Sequence, residues 1–145
     1  MKSSRITADV RAFFTSYCAA LIRQDAPAIA KYFADEVHVT SDNGRDVDVH
    51  VASGAEWRQT IDRLLDMYRA IDVGSVEATG LATDALSSRL VQARLRWALG
   101  DRAGRPLYEF DAMYTLARHT EIFRITAIAH NEIPQYRQCL AQVRS

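Results

Sequence analysis

Apolar and polar positions alternate with two distinct periods along this chain, and the change of period divides it. From Asp9 to Arg23, the residues Val10, Phe13, Phe14, Tyr17, Ala20 and Leu21 recur at spacings of three and four. That spacing predicts one buried stripe on a helix, with Thr7 or Asp9 as its cap. "RQDAP" interrupts the pattern, and Asp25 is placed to cap a second helix with Pro27 in its first turn, running through "AIAKYFA". "VHVT" and "VDVHVA" alternate around the turn-forming "SDNGRD", which predicts two extended segments between residues 37 and 52. Ser53 then caps a third helix whose stripe is Trp57, Ile61, Leu64, Leu65 and Tyr68, ending near Ile71.

Beyond Ile71 the period becomes two. Strands are predicted over 73–82, 87–99, 106–117 and 121–131, with "GDRAG" and "RHTE" as connections, and a short helix after Pro134. Helices first and a long meander afterwards make an α+β domain: a strongly bent antiparallel sheet with the N-terminal helices covering its concave face. A cone of that shape is open at one end, and its interior tends to become a pocket.

Composition narrows the function classes. At 145 residues, 48% hydrophobic, the chain suits one domain, residues 1–145, with one core. Eighteen basic residues balance 18 acidic ones, so no field draws it to nucleic acid or to an anionic membrane. No apolar run reaches a spanning length, and the N-terminus lacks the apolar stretch of a signal peptide, so a cytoplasmic protein is expected. Cys18 and Cys139 read as reduced thiols. No CxxC or HExxH pattern exists; His130 and Glu132 could both reach a metal but lack a third ligand, so no metal and no cofactor are expected.

The element order, with "YFADEV" after the helical hairpin, "SGAEW" opening the third helix and "FRITAI" in the last strand, resembles the nuclear transport factor 2-like superfamily. The resemblance spans nearly the whole chain and implies a cone-shaped α+β fold, often dimeric. Ketosteroid isomerase within it is similar over Tyr17 to Val39 and uses a tyrosine and a protonated aspartic acid as an oxyanion hole. Tyr17 matches the tyrosine, and Asp111 in "FDAMYTL" matches the aspartic acid. The base position falls on Ser41, with Asp42 one step further and facing away, so His130 is the replacement base that the resemblance implies. On the same alignment Ile128, His130 and Glu132 take the pocket parity and Asn131 the other.

Each candidate also has a plain structural reading. Asp111, between apolar neighbours, could instead pair with Arg94 or Arg96 on the adjoining strand, the arginines facing outward. If Asp111 faces in, then Phe110, Tyr114 and Leu116 face out and would need the cover of a second copy. Trp57 is a pocket wall or plain core, and Glu132, beside Ile133-Pro134, is a pocket residue or solvated. Two functions follow. One is an isomerase, dehydratase or cyclase that transfers a proton on a small apolar carbonyl compound, with Tyr17, Asp111 and His130 catalytic and Trp57, Ile128 and Glu132 holding substrate. The other is a non-catalytic ligand-binding or dimerisation module, and inward-facing Arg94 or Arg96 would instead suit an acidic ligand.

Overall fold

A computed structural model describes residues 2–144. Helix α1 (Lys2–Arg23) and the short α2 (Ala26–Ala30) precede strands β1 (Phe33–Asp42) and β2 (Val47–Ser53), and α3 (Gly54–Ala70) follows. Four long strands come next, β3 (Val73–Ala85), β4 (Leu90–Asp101), β5 (Pro106–Ala117) and β6 (Arg124–His130), and α4 (Glu132–Arg144) ends the described residues. These six strands form one open sheet in the order β2-β1-β6-β5-β4-β3, antiparallel except for the β1/β6 pair. Register shifts interrupt β3 twice, one of them spanning Gly80, whose φ of 63° only a glycine takes up without strain. Such bulges bend and twist a sheet, which gives it a concave face for the helices.

The sequence signals that hold are local ones. The Asp25 carboxylate accepts from the Ala28 amide at 3.2 Å and Pro27 lies in the first turn of α2, as the cap reading requires. Helix α2 stops early because "YFADEV" joins the sheet: Phe33 is buried in β1. Helix α1 begins upstream of both expected caps; Thr7 and Asp9 lie within it, bonded to Thr83 and Arg118. At the β1/β2 turn, the Asn43 side chain accepts from the Arg45 and Asp46 amides and Asp42 accepts from Gly44, so Asp42 is spent on the turn.

Cross-strand register fixes which residues share a face. Ala112 stands opposite His130 and Tyr114 opposite Ile128, on the concave side. Arg96 stands opposite Asp111 on the convex side, where its guanidinium bonds Glu109 at 2.9 Å and Asp111 at 3.0 Å. The expected facing of β5 is therefore inverted. Phe110, Tyr114 and Leu116 are buried in the interior and cannot form a partner-facing surface. Exposed apolar residues instead include Val49 and Met113, joined in one row across the convex face through Thr40 and Ala129. Among the described residues no helix is long and apolar enough to cross a membrane.

Candidate active site

The concave face and the helices α1 to α3 enclose a cavity of about 150 Å³. An apolar void of that size holds a single small ring. Aromatic rings supply much of its wall, with Tyr17 from α1, Trp57 and Tyr68 from α3, and Trp97, Phe110 and Tyr114 from the strands. Among the described residues, its one ionisable acid is Glu132 and its one imidazole is His130, and no lysine or arginine lines it.

Glu132 reaches the cavity because β6 alternates and α4 starts at once. Ile128 and His130 face in, and the first residue of the helix continues the parity. The solvated reading of Glu132 does not hold, since the residue is buried. Its Oε2 accepts from the Tyr68 hydroxyl at 2.7 Å and the Tyr108 hydroxyl at 2.8 Å. Burial nevertheless pushes its carboxyl above the usual carboxylate range, overcoming the pull of the two hydroxyls. A carboxyl raised in this way is a stronger proton acceptor than a solvated one.

His130 sits beside it with a defined proton inventory. The Glu132 backbone N–H donates to His130 Nδ1 at 3.1 Å, so Nδ1 is the bare nitrogen and neutral imidazole carries its proton on Nε2. Burial also holds the ring below its ordinary pKa. Neutral His130 is thus a donor through Nε2.

The remaining candidates separate cleanly. Tyr17 lines the cavity, and burial, then the nearby Glu132 charge, push its hydroxyl well above the usual range, so it stays protonated and able to donate. Trp57 and Ile128 line the cavity too. The Trp57 Nε1–H is buried with no hydrogen-bond partner among the described residues. Asp111 is absent from the cavity: its side chain is 41% exposed on the other face and pairs with Arg96. Its backbone meets Asn131, whose side chain accepts from the Asp111 amide at 2.9 Å. The aspartic acid of the oxyanion hole therefore has no counterpart at this position. Arg94 and Arg96 face outward, as expected.

Sequence reasoning misses the two hydroxyls on Glu132. Tyr68 is visible as a stripe residue of α3, and Tyr108 shares the parity of Phe110 and Ala112, but their partner lies 64 and 24 positions away. No local pattern announces such a meeting. Among the described residues no three His, Cys, Asp or Glu side chains cluster as metal ligands.

A family model described as NTF2-like protein (DUF6841) matches residues 8–133. No curated protein matches the chain. Among solved structures, the chain is similar to a protein of unknown function from Mycobacterium tuberculosis, at TM-score 0.66 and 15% identity, covering 93% of this chain and 86% of that one. It is also similar to a Nostoc punctiforme protein of unknown function with a cystatin-like fold, at TM-score 0.68 and 10% identity, over 86% and 88% of the two chains. A third, from Novosphingobium aromaticivorans and provisionally described as an aromatic ring hydroxylase, has TM-score 0.65 and 12% identity, with 88% of each chain covered. At these identities the likeness is one of fold.

Proposed function

This chain belongs to the NTF2-like family DUF6841, and from that premise we propose that its cavity takes one small, largely apolar carbonyl compound and moves a proton on it without a cofactor. The observation that carries this reading is Glu132, a buried carboxyl with a raised pKa in the wall of an aromatic cavity lined by no lysine or arginine among the described residues. Ionised Glu132 removes a proton from the carbon beside the carbonyl. The electron pair moves onto the carbonyl oxygen, which accepts hydrogen bonds from the Tyr17 hydroxyl and His130 Nε2–H as its charge develops. Protonated Glu132 then returns the proton to the same or a neighbouring carbon. Isomerisation, dehydration and cyclisation share this first step.

Solvent deuterium exchange tests it. The protein is incubated in D2O with monocyclic ketones and the loss of their α-proton signals is followed by NMR. Exchange should fall by about a hundredfold or more in Glu132→Gln, in the range seen when a general acid/base is removed. Equal exchange by the two proteins would sink the proposal.

A second reading, a binding module without catalysis, draws support from the same Glu132, because two tyrosine hydroxyls already occupy Oε2 in the manner of a satisfied structural network. Ketone binding without exchange would favour it. Under either reading, Val49 and Met113 on the convex face favour a homodimer through that surface. The free thiols Cys18 and Cys139 favour a reducing, cytoplasmic setting.

A further inference from the structure

A second concavity, sharing no lining residue with the central cavity, lies between α1 and the β3/β4 and β5/β6 connections. It is an open groove of about 720 Å³. Arg118 is fixed within it. The Arg118 Nη1 donates to Asp9 at 3.0 Å, Nε donates to the Ser88 carbonyl at 2.8 Å, and the guanidinium lies 4.1 Å from the centre of the Phe123 ring. Only 11% of that side chain is exposed, so it is pre-organised and loses little freedom on binding.

Arg5 and Arg89 also line the groove, and neither forms an ion pair among the described residues. Three guanidiniums face two carboxylates there, Asp9 and Glu121, and Asp9 is already committed to Arg118. The surplus is positive. The apolar surface open to the groove is Ile122 with the half-buried Tyr32, while Phe13 and Phe123 lie buried beneath it. Guanidinium forks match carboxylate and phosphate oxygens, and an exposed apolar surface takes an apolar body.

We infer that this groove is a separate binding site for a small amphipathic anion, its carboxylate or phosphate head held by Arg5, Arg89 and Arg118 and its apolar body laid on Tyr32 and Ile122. The site is independent of the proton-transfer chemistry and stands whether or not that chemistry does.

The test titrates the full 15N-labelled chain with octanoate, octyl phosphate and octanol, all below their aggregation concentrations. Amide shifts are expected at Tyr32, Arg89 and Thr120 with an anion, with affinity falling as salt is raised. Whichever anion binds more tightly identifies the head group. Octanol should bind at least about tenfold more weakly, a loss of the size expected when a charge-assisted hydrogen bond goes. The double variant Arg5→Ala/Arg89→Ala, both on the rim, should lose a similar factor for the anions while circular dichroism shows the fold retained. Octanol binding as tightly as the anions, unchanged anion affinity in the double variant, or shifts confined to Ile128 and His130 would each overturn the inference.

Discussion

The Glu132 backbone N–H donates to Nδ1 of His130 across 3.1 Å, so the residue carrying the buried carboxyl also sets the tautomer of the neighbouring imidazole. Neutral His130 should carry its proton on Nε2. Ring 15N shifts in labelled protein will read this directly, and the titration midpoint should lie below the ordinary histidine value because burial disfavours the cation. A proton on Nδ1 at neutral pH would remove His130 as the Nε2 donor.

Stability should carry opposite pH signatures from these two residues. For Glu132 the folded pKa is raised, so the folded chain binds more protons than the unfolded one above about pH 4.3. Its contribution is fully present below that value and is lost as pH rises through the folded pKa. For His130 the folded pKa is lowered, so its contribution is present above about pH 6.5 and is lost as pH falls through the folded value. Urea unfolding of wild type, Glu132→Gln and His130→Gln across pH 4 to 9 separates them. Relative to wild type, Glu132→Gln should gain stability toward alkaline pH, and His130→Gln should gain it toward acid. A difference curve flat in pH for Glu132→Gln would mean that the carboxyl is not held above its unfolded value.

Removing a hydroxyl from Oε2 should weaken the carboxylate form further. Tyr68→Phe and Tyr108→Phe each delete one hydrogen bond, of 2.7 Å and 2.8 Å respectively. Each should cost about 1.5–3 kcal/mol at a pH where Glu132 is ionised, the range for hydrogen bonds to charged groups, and less where it is protonated. The Glu132 pKa should rise in both, followed by the carboxyl 13C shift. Neither hydroxyl tunes Glu132 if that shift titrates as in wild type.

Much of the fold is legible because its signals are local. Tyr17 and Trp57 fall on helix stripes that do turn inward, the Asp25-Pro27 start is seen in α2, and the 106–117 limits of β5 coincide with those observed. The facing of β5 is misread for an instructive reason. Its alternation alone puts Phe110, Ala112, Tyr114 and Leu116 on one side, an apolar set that belongs inside; the likeness of "FDAMYTL" to an oxyanion-hole strand argues for the reverse, and burial prevails. A one-residue change of parity moves every side chain of a strand to the other face. The Glu132 site is only half legible, because parity delivers the carboxyl while its partners come from α3 and β5.

Asp111→Asn should therefore be nearly silent. The residue is partly exposed and shares Arg96 with Glu109 on the convex face, where solvent screening leaves an ion pair little effect on stability. Ketone exchange and the His130 titration should match wild type, and the unfolding midpoint should move little. A large loss of exchange in Asp111→Asn with the fold intact would contradict the assignment of the proton-transfer role to Glu132.

The convex face makes the final prediction. Val49 is 70% exposed and Met113 49%, and the register Val49–Thr40–Ala129–Met113 joins them in a single row across four strands. Apolar side chains in contiguous rows seek cover, and β2, as an edge strand, also presents unpaired backbone groups beside Val49. A two-fold partner placing the same row against its own copy would bury Val49 and Met113. Sedimentation of wild type at micromolar concentration should then give a dimer, and Val49→Lys should shift it toward monomer, because two like charges would face each other near the axis. Circular dichroism should be unchanged, since Val49 contributes little to the interior. A wild-type monomer, or a dimer indifferent to both Val49→Lys and Met113→Lys, would rule this surface out and leave the row as solvated sheet.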